Sequence, residues 1–352
     1  MKDRSTRVIV LGGSAGGLEA VLRIVSTLEA DLPAAVFIVL HLGAGPAPGL
    51  EIRLAKAGPL PAAFARNGEP IEAGRLYIAP PDHHTLLKPN IIRLTHGPKV
   101  NWARPAIDLT FRSAAVAYGP QTIGVIVSGM LDDGTTGLHA IKRWGGVAIV
   151  QDPADALHAE MPASALSYGG PIDHTLPAAT IGGLLNELVR APVSSAVDIP
   201  ADIRLENKFD MKNIDDPAQL DHLGSQMPLA CPECGGVLWE MQEKELPRYR
   251  CHTGHSFTIH TLLHGPREKI EQSLWVALRT LEEKARTQEK LARWEEEAGR
   301  KGLDRTFQQR YAKTRTHTER LRQLLFEIDT ANPASFARSD PPEEEKAPGD
   351  LG

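Results

Sequence analysis

No stretch of this 352-residue chain approaches the roughly 20 consecutive apolar residues needed to span a bilayer. Its start, Met1-Lys2-Asp3-Arg4-Ser5-Thr6-Arg7, leads into Val8-Ile9-Val10-Leu11, too short for the apolar part of a leader and followed by glycines rather than a cleavage site. A membrane span and a targeting segment are therefore not expected, and the expected compartment is the cytoplasm. Strong charge of one sign is also missing. A net charge of −5 gives no electrostatic case for nucleic acid or an anionic membrane surface. Cysteine is scarce: three residues, at 231, 234 and 251, all within 21 positions. An odd number so closely spaced does not suit a secreted disulfide framework, which needs pairs. What is present is ordinary globular composition, 42% apolar and 24% charged, which excludes a wholly disordered, collagen-like or coiled-coil protein. The length implies two or three folded units.

Residues 1–190 alternate short β-branched runs with segments of helical period. The runs are Arg7–Leu11, Val36–Leu40, Leu76–Ala79, Ile91–Leu94, Ile123–Ser128 and Val147–Gln151, each bounded by Gly, Pro or polar residues, as buried strands of a parallel sheet are. Between them Leu18–Leu28, Ala106–Tyr118, Thr136–Trp144 and Ile181–Val189 have helical periodicity. This alternation predicts an α/β fold, a doubly wound, mostly parallel, Rossmann-like three-layer sheet. Residues 191–226 lose periodicity and read as a linker, and 227–262 contain the cysteines. A helical hairpin is expected over 266–330. Ile270, Leu274, Ala277, Leu278, Leu281 and Ala285 share one face of its first helix; Phe307, Tyr311, Thr314, Thr318, Leu321, Leu325 and Ile328 form a heptad seam with two polar positions in its second. The tail 331–352, with Glu343-Glu344-Glu345 and four prolines, reads as disordered.

The first strand runs into Gly12-Gly13-Ser14-Ala15-Gly16-Gly17 and then a helix. Gly12, Ser14 and Gly16 fit G-x-S-x-G, a turn that exposes a serine hydroxyl at the helix N-terminus, where N–H groups can face an oxyanion. A dinucleotide loop competes with this reading, but Ser14 occupies the second glycine of G-x-G-x-x-G and the next strand ends in His41 rather than an acidic residue. A purely structural turn in which Ser14 caps the helix also competes. A serine nucleophile needs a base and an orienting carboxylate. His41 follows the second strand directly, and Asp133 follows Ile123–Ser128. All three groups fall at the carboxyl ends of strands, where open α/β sheets bind ligands. For Asp133 the competing role is an N-cap of the helix after Asp-Asp-Gly.

Gly12–Gly17 with its serine, Leu40-His41, Tyr77-Ile78-Ala79-Pro80-Pro81-Asp82, Arg104-Pro105 with Asp108, Gly129-Met130 with Asp133-Gly134, and Met161-Pro162 occur in order. In these stretches the chain from about Arg7 to Val189 resembles the catalytic domain of the chemotaxis protein-glutamate methylesterase (CheB) family. The resemblance implies hydrolysis of glutamyl methyl esters on chemoreceptors or a related signalling protein, often with glutamine deamidation, and no cofactor for catalysis. It implies Ser14 as nucleophile, His41 as base, Asp133 as orienting group and Met130 in the segment forming the oxyanion hole. A partner methyltransferase in the pathway is expected. The family usually has threonine after the serine; here Ala15 leaves only its backbone N–H for the oxyanion. Its usual N-terminal receiver domain is not expected, since the chain begins at the first catalytic strand. Arg104 is expected either to bind acidic parts of a substrate helix or to form a surface ion pair.

Cys231-Pro232-Glu233-Cys234 and, after sixteen residues, Cys251-His252-Thr253-Gly254-His255 form a Cys-x2-Cys pair with a second ligand pair. Cys231, Cys234, Cys251 and His255 predict a closed Cys3His structural zinc site in a zinc-ribbon-like module. His252 is the rival ligand; adjacent residues in a strand point apart, which favours His255. A redox pair and free cysteines are the alternatives. The competing function for the whole chain is a signalling adaptor that uses the ribbon and the esterase fold as a scaffold.

Overall fold

The computed structural model describes residues 7–42, 45, 47–193, 207, 210, 220–241, 246–263, 265, 267–300 and 302–330. Most of the expected linker and all of the tail 331–352 lie outside these. The chain divides into two units, Met1–Gly265 and Pro266–Gly352.

In the first unit the strands β1 (Arg7–Gly13), β2 (Ala34–Leu40), β3 (Ala62–Phe64) and β4 (Arg75–Ile78) form one half of a seven-stranded sheet. A hairpin, β5 (His84–Lys88) and β6 (Ile91–Thr95), follows; β7 (Thr122–Ile126), β8 (Val147–Gln151) and β9 (His174–Leu176) complete the sheet. Its order is β3-β4-β2-β1-β7-β8-β9, and every pairing is parallel. The chain builds outward from β1 in both directions, so the switch point lies at β1, where it borders β2 and β7.

The physical basis is burial on both faces. All seven residues of β1 and of β2 are buried. Along β1 the side chains alternate: Val8 and Val10 join one apolar cluster, Ile9 and Leu11 the other. The helices α3 (Ile107–Tyr118), α4 (Thr135–Arg143) and α5 (Glu160–Tyr168) cover the first face. The second is covered by α1 (Gly17–Val25), α2 (Leu50–Ala57) and α6 (Ala178–Leu188). The three-layer α/β reading is therefore the observed fold. Ile91–Leu94 differs: its β-branched run lies in the antiparallel β5–β6 hairpin, outside the parallel sheet. A run of four or five apolar residues does not specify its pairing partner.

The cysteines lie in a second, antiparallel sheet of β10 (Gly224–Ala230), β11 (Val237–Met241), β12 (Arg248–Cys251) and β13 (Ser256–Thr258), followed by the short helix α7 (Ile259–Leu263). Its first strand begins inside the stretch read as linker. This small module belongs to the same unit as the large sheet. Buried Asp210 ties them together: it accepts from Arg250 of β12 at 2.9 Å and lies 3.4 Å from Arg112 of α3, both guanidiniums being buried.

The second unit is a helical hairpin of α8 (Arg267–Glu297) and α9 (Leu303–Thr330). Leu278, Ala285 and Leu325 of the expected seams are buried. So are both polar seam positions: Thr314 donates to Gln288 at 2.8 Å, and Thr318 donates to the Thr314 carbonyl. Gly299 and Gly302, both at positive φ, form the turn between the helices.

Candidate active site

Register brings Ser14 and His41 to one rim. Gly13 of β1 pairs with Leu40 of β2, so the next residue on each strand is one of the two. The His41 amide donates to the Gly13 carbonyl at 3.2 Å. On the other side of β1, the Ser14 amide donates to the Ser128 carbonyl at 2.9 Å, just beyond β7. Ser128 also holds the turn with its side chain: Oγ donates to the Ala15 carbonyl and accepts from the His158 amide. Gly16 is at φ 70°, and a Cβ there would meet Ser128 Oγ at 2.7 Å and Leu157 Cβ at 2.8 Å. The second glycine of the elbow is thus required by both conformation and space.

The amide of Ala15 has no acceptor among the described residues, and neither has that of Met130. Gly129 makes the approach of these two segments possible, since a Cβ there would stand 3.0 Å from Ser14 Cβ and 2.0 Å from Met161 Sδ. Two N–H groups without an acceptor, on the segments that meet at half-buried Ser14, suit a developing oxyanion. Among the described residues the Ser14 hydroxyl makes no hydrogen bond, and none joins it to His41; such bonds tighten when substrate is bound.

His41 is bonded to Asp133: Nε2 lies 2.8 Å from Oδ2. The carboxylate is buried, and four donors converge on it. Oδ2 also accepts the Ile107 amide at 2.7 Å, while Oδ1 accepts Asn101 Nδ2 at 3.0 Å and the Asp108 amide at 3.3 Å. Ile107 and Asp108 open α3, so Asp133 caps that helix from a distant loop and sits in the positive end of its dipole. Burial by itself raises the Asp133 pKa. The hydrogen bonds from His41, Asn101 and Ile107 outweigh it, and the carboxyl is held below its ordinary value. Its neighbour Asp108 has the opposite fate. Burial first, then the charge of Asp133, pushes it up to about 7. With Nε2 turned to the carboxylate, Nδ1 is the ring nitrogen left for the hydroxyl.

An open cavity of about 370 Å³ extends from His41 along Leu42, Asp82, Lys99, Trp102 and Arg104. Arg104 lines it with its head already engaged: Nε and Nη2 donate to Asp82 Oδ1 at 2.8 and 2.7 Å, and Nη1 to the Gly97 carbonyl at 2.7 Å. The hydrogen bonds of Arg104 and His96 hold the Asp82 carboxyl down to about 2. The loop forming this wall is held from below by buried His84, whose Nδ1 accepts the Ala106 amide while Nε2 donates to the Pro98 carbonyl. Burial lowers the His84 pKa to about 4, which keeps the ring in the neutral form that this pair of bonds requires.

In the small module the ligand atoms of Cys231, Cys234, Cys251 and His255 lie within 4.8 Å of one another. The two cysteine-bearing turns are closed by Cys231 N–H to the Gly236 carbonyl and Cys251 N–H to the His255 carbonyl. Cys234 and Cys251 Sγ are 3.7 Å apart, and His255 presents Nδ1 to Cys251 Sγ at 3.6 Å. Tetrahedral thiolates about 2.3 Å from a zinc ion stand about 3.8 Å apart, so spacing and donor chemistry both fit that metal. His252 packs on Gly236 instead: a Cβ at Gly236 would meet its ring at 2.5 Å.

Ser128 and Asn101 carry no motif, and a lone polar residue in a loop gives no sequence signal. Asp108 is visible in the sequence only as part of a resembling stretch. Its contact with the site is tertiary.

Residues 9–185 match the family model described as CheB methylesterase. The chain is 38% identical over 183 residues to protein-glutamate methylesterase/protein-glutamine glutaminase 2 of Anaeromyxobacter dehalogenans, covering 52% of this chain and 53% of that one. To the Thermotoga maritima protein-glutamate methylesterase/protein-glutamine glutaminase it is 36% identical over 189 residues, with 53% and 55% covered. A putative enzyme of the same description from Leptospira interrogans is 38% identical, with 51% of this chain and 93% of that one covered. The crystal structure of the Thermotoga maritima CheB methylesterase catalytic domain matches with a TM-score of 0.51 at 36% identity, over 53% of this chain and all of that one. The chain thus spans about half the length of the Anaeromyxobacter and Thermotoga relatives.

Proposed function

The chain belongs to the CheB methylesterase family, and from that premise we propose that it is a serine esterase acting on glutamyl methyl esters of a chemoreceptor or related signalling protein. The observation that carries this reading is the register of β1 and β2, which sets Ser14 beside a histidine bonded at 2.8 Å to a buried carboxylate.

In the proposed reaction Ser14 Oγ attacks the ester carbonyl carbon, and its proton passes to His41 Nδ1. Asp133 keeps the ring oriented and stabilises the imidazolium. The carbonyl oxygen, now an anion, faces the amides of Ala15 and Met130. The tetrahedral adduct collapses as His41 returns the proton to the departing methoxide, releasing methanol and leaving an acyl-serine. A water that gives its proton to His41 then cleaves the acyl bond, freeing the glutamate carboxylate and restoring Ser14. With glutamine the same steps release ammonia. The charge of Arg104 is already paired with Asp82, and Lys99 is the further cation that the cavity wall offers to an acidic substrate helix. A methyltransferase that makes the ester completes the cycle, and the cytoplasm is the proposed compartment. No helix among the described residues is long and apolar enough to cross a membrane.

Catalysis on this scheme uses no cofactor. Cys231, Cys234, Cys251 and His255 are proposed to hold a structural zinc ion with no open coordination position.

The decisive experiment is methanol release from a methylated receptor, followed by mass spectrometry of its glutamyl sites. Wild-type protein is expected to release methanol and the Ser14→Ala variant to lose the activity by roughly three orders of magnitude or more. An inactive wild type, or a fully active Ser14→Ala variant, overturns the assignment and leaves the scaffold reading in its place.

A further inference from the structure

We propose that Asn101 is a positioning residue of the Ser14–His41–Asp133 site, and that the cysteine-bearing module sets its side chain through Thr258 and Thr261. The inference rests on the proposed esterase reading for the identity of the triad, but the relay itself has a readout that needs no substrate.

Asn101 is buried, and both ends of its amide are specified. Nδ2 donates to Asp108 Oδ2 at 2.9 Å and to Asp133 Oδ1 at 3.0 Å. Oδ1 accepts the Thr258 amide at 3.1 Å, with Thr261 Oγ1 also at 3.1 Å. A flipped amide would turn its oxygen toward two carboxylates and its NH2 toward an N–H, so only one orientation is allowed. Thr258 and Thr261 are themselves buried. Thr258 also donates from Oγ1 to Asp132 Oδ2 at 2.7 Å, next to the catalytic carboxylate.

The module grips the same loop by its backbone. The Asn101 amide donates to the Ser256 carbonyl at 2.9 Å, and Trp102 Nε1 donates to the Thr261 carbonyl at 2.8 Å while its ring packs on Phe257. Ser256 directly follows His255, so the strand that leaves the thiolate–imidazole cluster is the strand that fixes Asn101. The donors to Asp133 are His41, Ile107, Asn101 and Asp108, and of these Asn101 is the one whose side chain is also bonded to Thr258 and Thr261 of the small module.

Removing the amide leaves Asp133 Oδ1 and Asp108 Oδ2 each without a side-chain donor. The proton affinity of the two neighbouring carboxylates, and of the imidazole bonded to Asp133, then rises. The titratable and charged groups facing this cluster are His41 at the end of β2, Asp108 and Arg112 of α3, His84 of β5, Arg248 of β12, Asp132 bonded to Thr258, and Asp82, Lys99 and Arg104 along the cavity beside His41.

The test is an NMR titration of the His41 ring together with the pH profile of kcat, in wild type, Asn101→Ala, Thr261→Val, Thr261→Ser and the Asn101→Ala/Thr261→Val double variant. Asn101→Ala is expected to raise the apparent His41 pKa by about half a unit or more, and to lower kcat about 10-fold with KM within about twofold. Thr261→Val moves the titration the same way by less, Thr261→Ser restores it, and the double variant goes no further than Asn101→Ala. An unmoved His41 titration in folded Asn101→Ala, or full additivity in the double variant, overturns the proposal. If Asn101→Ala does not fold, the Thr261→Val and Thr261→Ser pair decides, an unmoved titration in Thr261→Val being the negative result. Should the wild type hydrolyse no ester, the esterase reading fails while the His41 titration still judges the relay.

Discussion

Ile107 donates its backbone amide to Asp133 Oδ2 at 2.7 Å, so the residue that opens α3 holds the carboxylate that orients His41. One oxygen thereby serves a helix terminus and an imidazole together. Replacing it should affect both chemistry and the helix cap. The Asp133→Asn variant keeps one acceptor oxygen but presents an NH2 group either to His41 Nε2–H or to the α3 amides. Its kcat is expected to fall by about 10³–10⁴ with a small change in KM, and its thermal midpoint to drop as well. Steady-state kinetics beside a melting curve check both; a kcat within tenfold of wild type would remove Asp133 from the triad.

Acid stability should report His84. Burial holds its folded pKa at about 4 against an ordinary value of 6.5. The unfolded chain therefore takes up a proton near 6.5 that the folded chain refuses until about 4, so the stabilisation is complete above 6.5 and is lost as pH falls between the two values. The loss is on the order of 3 kcal/mol over that window. Asp108, pushed up to about 7, slopes the opposite way across this window, so the His84 contribution is read as a difference: in urea unfolding from pH 7 to pH 4, wild type should lose more stability on acidification than His84→Gln. Equal slopes in the two proteins would refute the account.

Asp210 lies between buried Arg112 and Arg250, and joins the α/β sheet to the small module. Its replacement by alanine takes the carboxylate from two guanidiniums held out of water, which costs about 3 kcal/mol or more. Chemical denaturation of Asp210→Ala should give that decrease. A loss under about 1 kcal/mol would mean that water reaches the pair.

Metal analysis of protein purified without chelator is expected to give about one zinc per chain, falling toward zero in Cys231→Ser. Chelation should loosen the module around Trp102, whose ring packs on Phe257 beside the cluster, and so change tryptophan fluorescence. Metal-free protein with an intact module would exclude the zinc assignment.

The sequence by itself determined the secondary elements that bear Ser14, His41 and Asp133. Apolar runs ending in glycine, histidine or Asp-Asp-Gly specify strands and put polar residues at their carboxyl ends. The helical hairpin was largely legible, because a heptad seam records its own burial; Ala277, read on the shared face of the first helix, is exposed, and the Gln288 partner of polar Thr314 gave no signal. The four candidate ligands were readable because metal chemistry fixes residue type and spacing together. Tertiary structure alone decided the rest. The strand order comes from long-range pairing, which local periodicity does not encode, and the same limit displaced Ile91–Leu94 from the sheet to a hairpin. The four donors on Asp133 come from residues 41, 101, 107 and 108, and only folding places such distant groups around one buried carboxylate. Asn101 belongs to no motif. Its place between two carboxylates and the strand after His255 exists because a buried amide must satisfy both its donors and its oxygen.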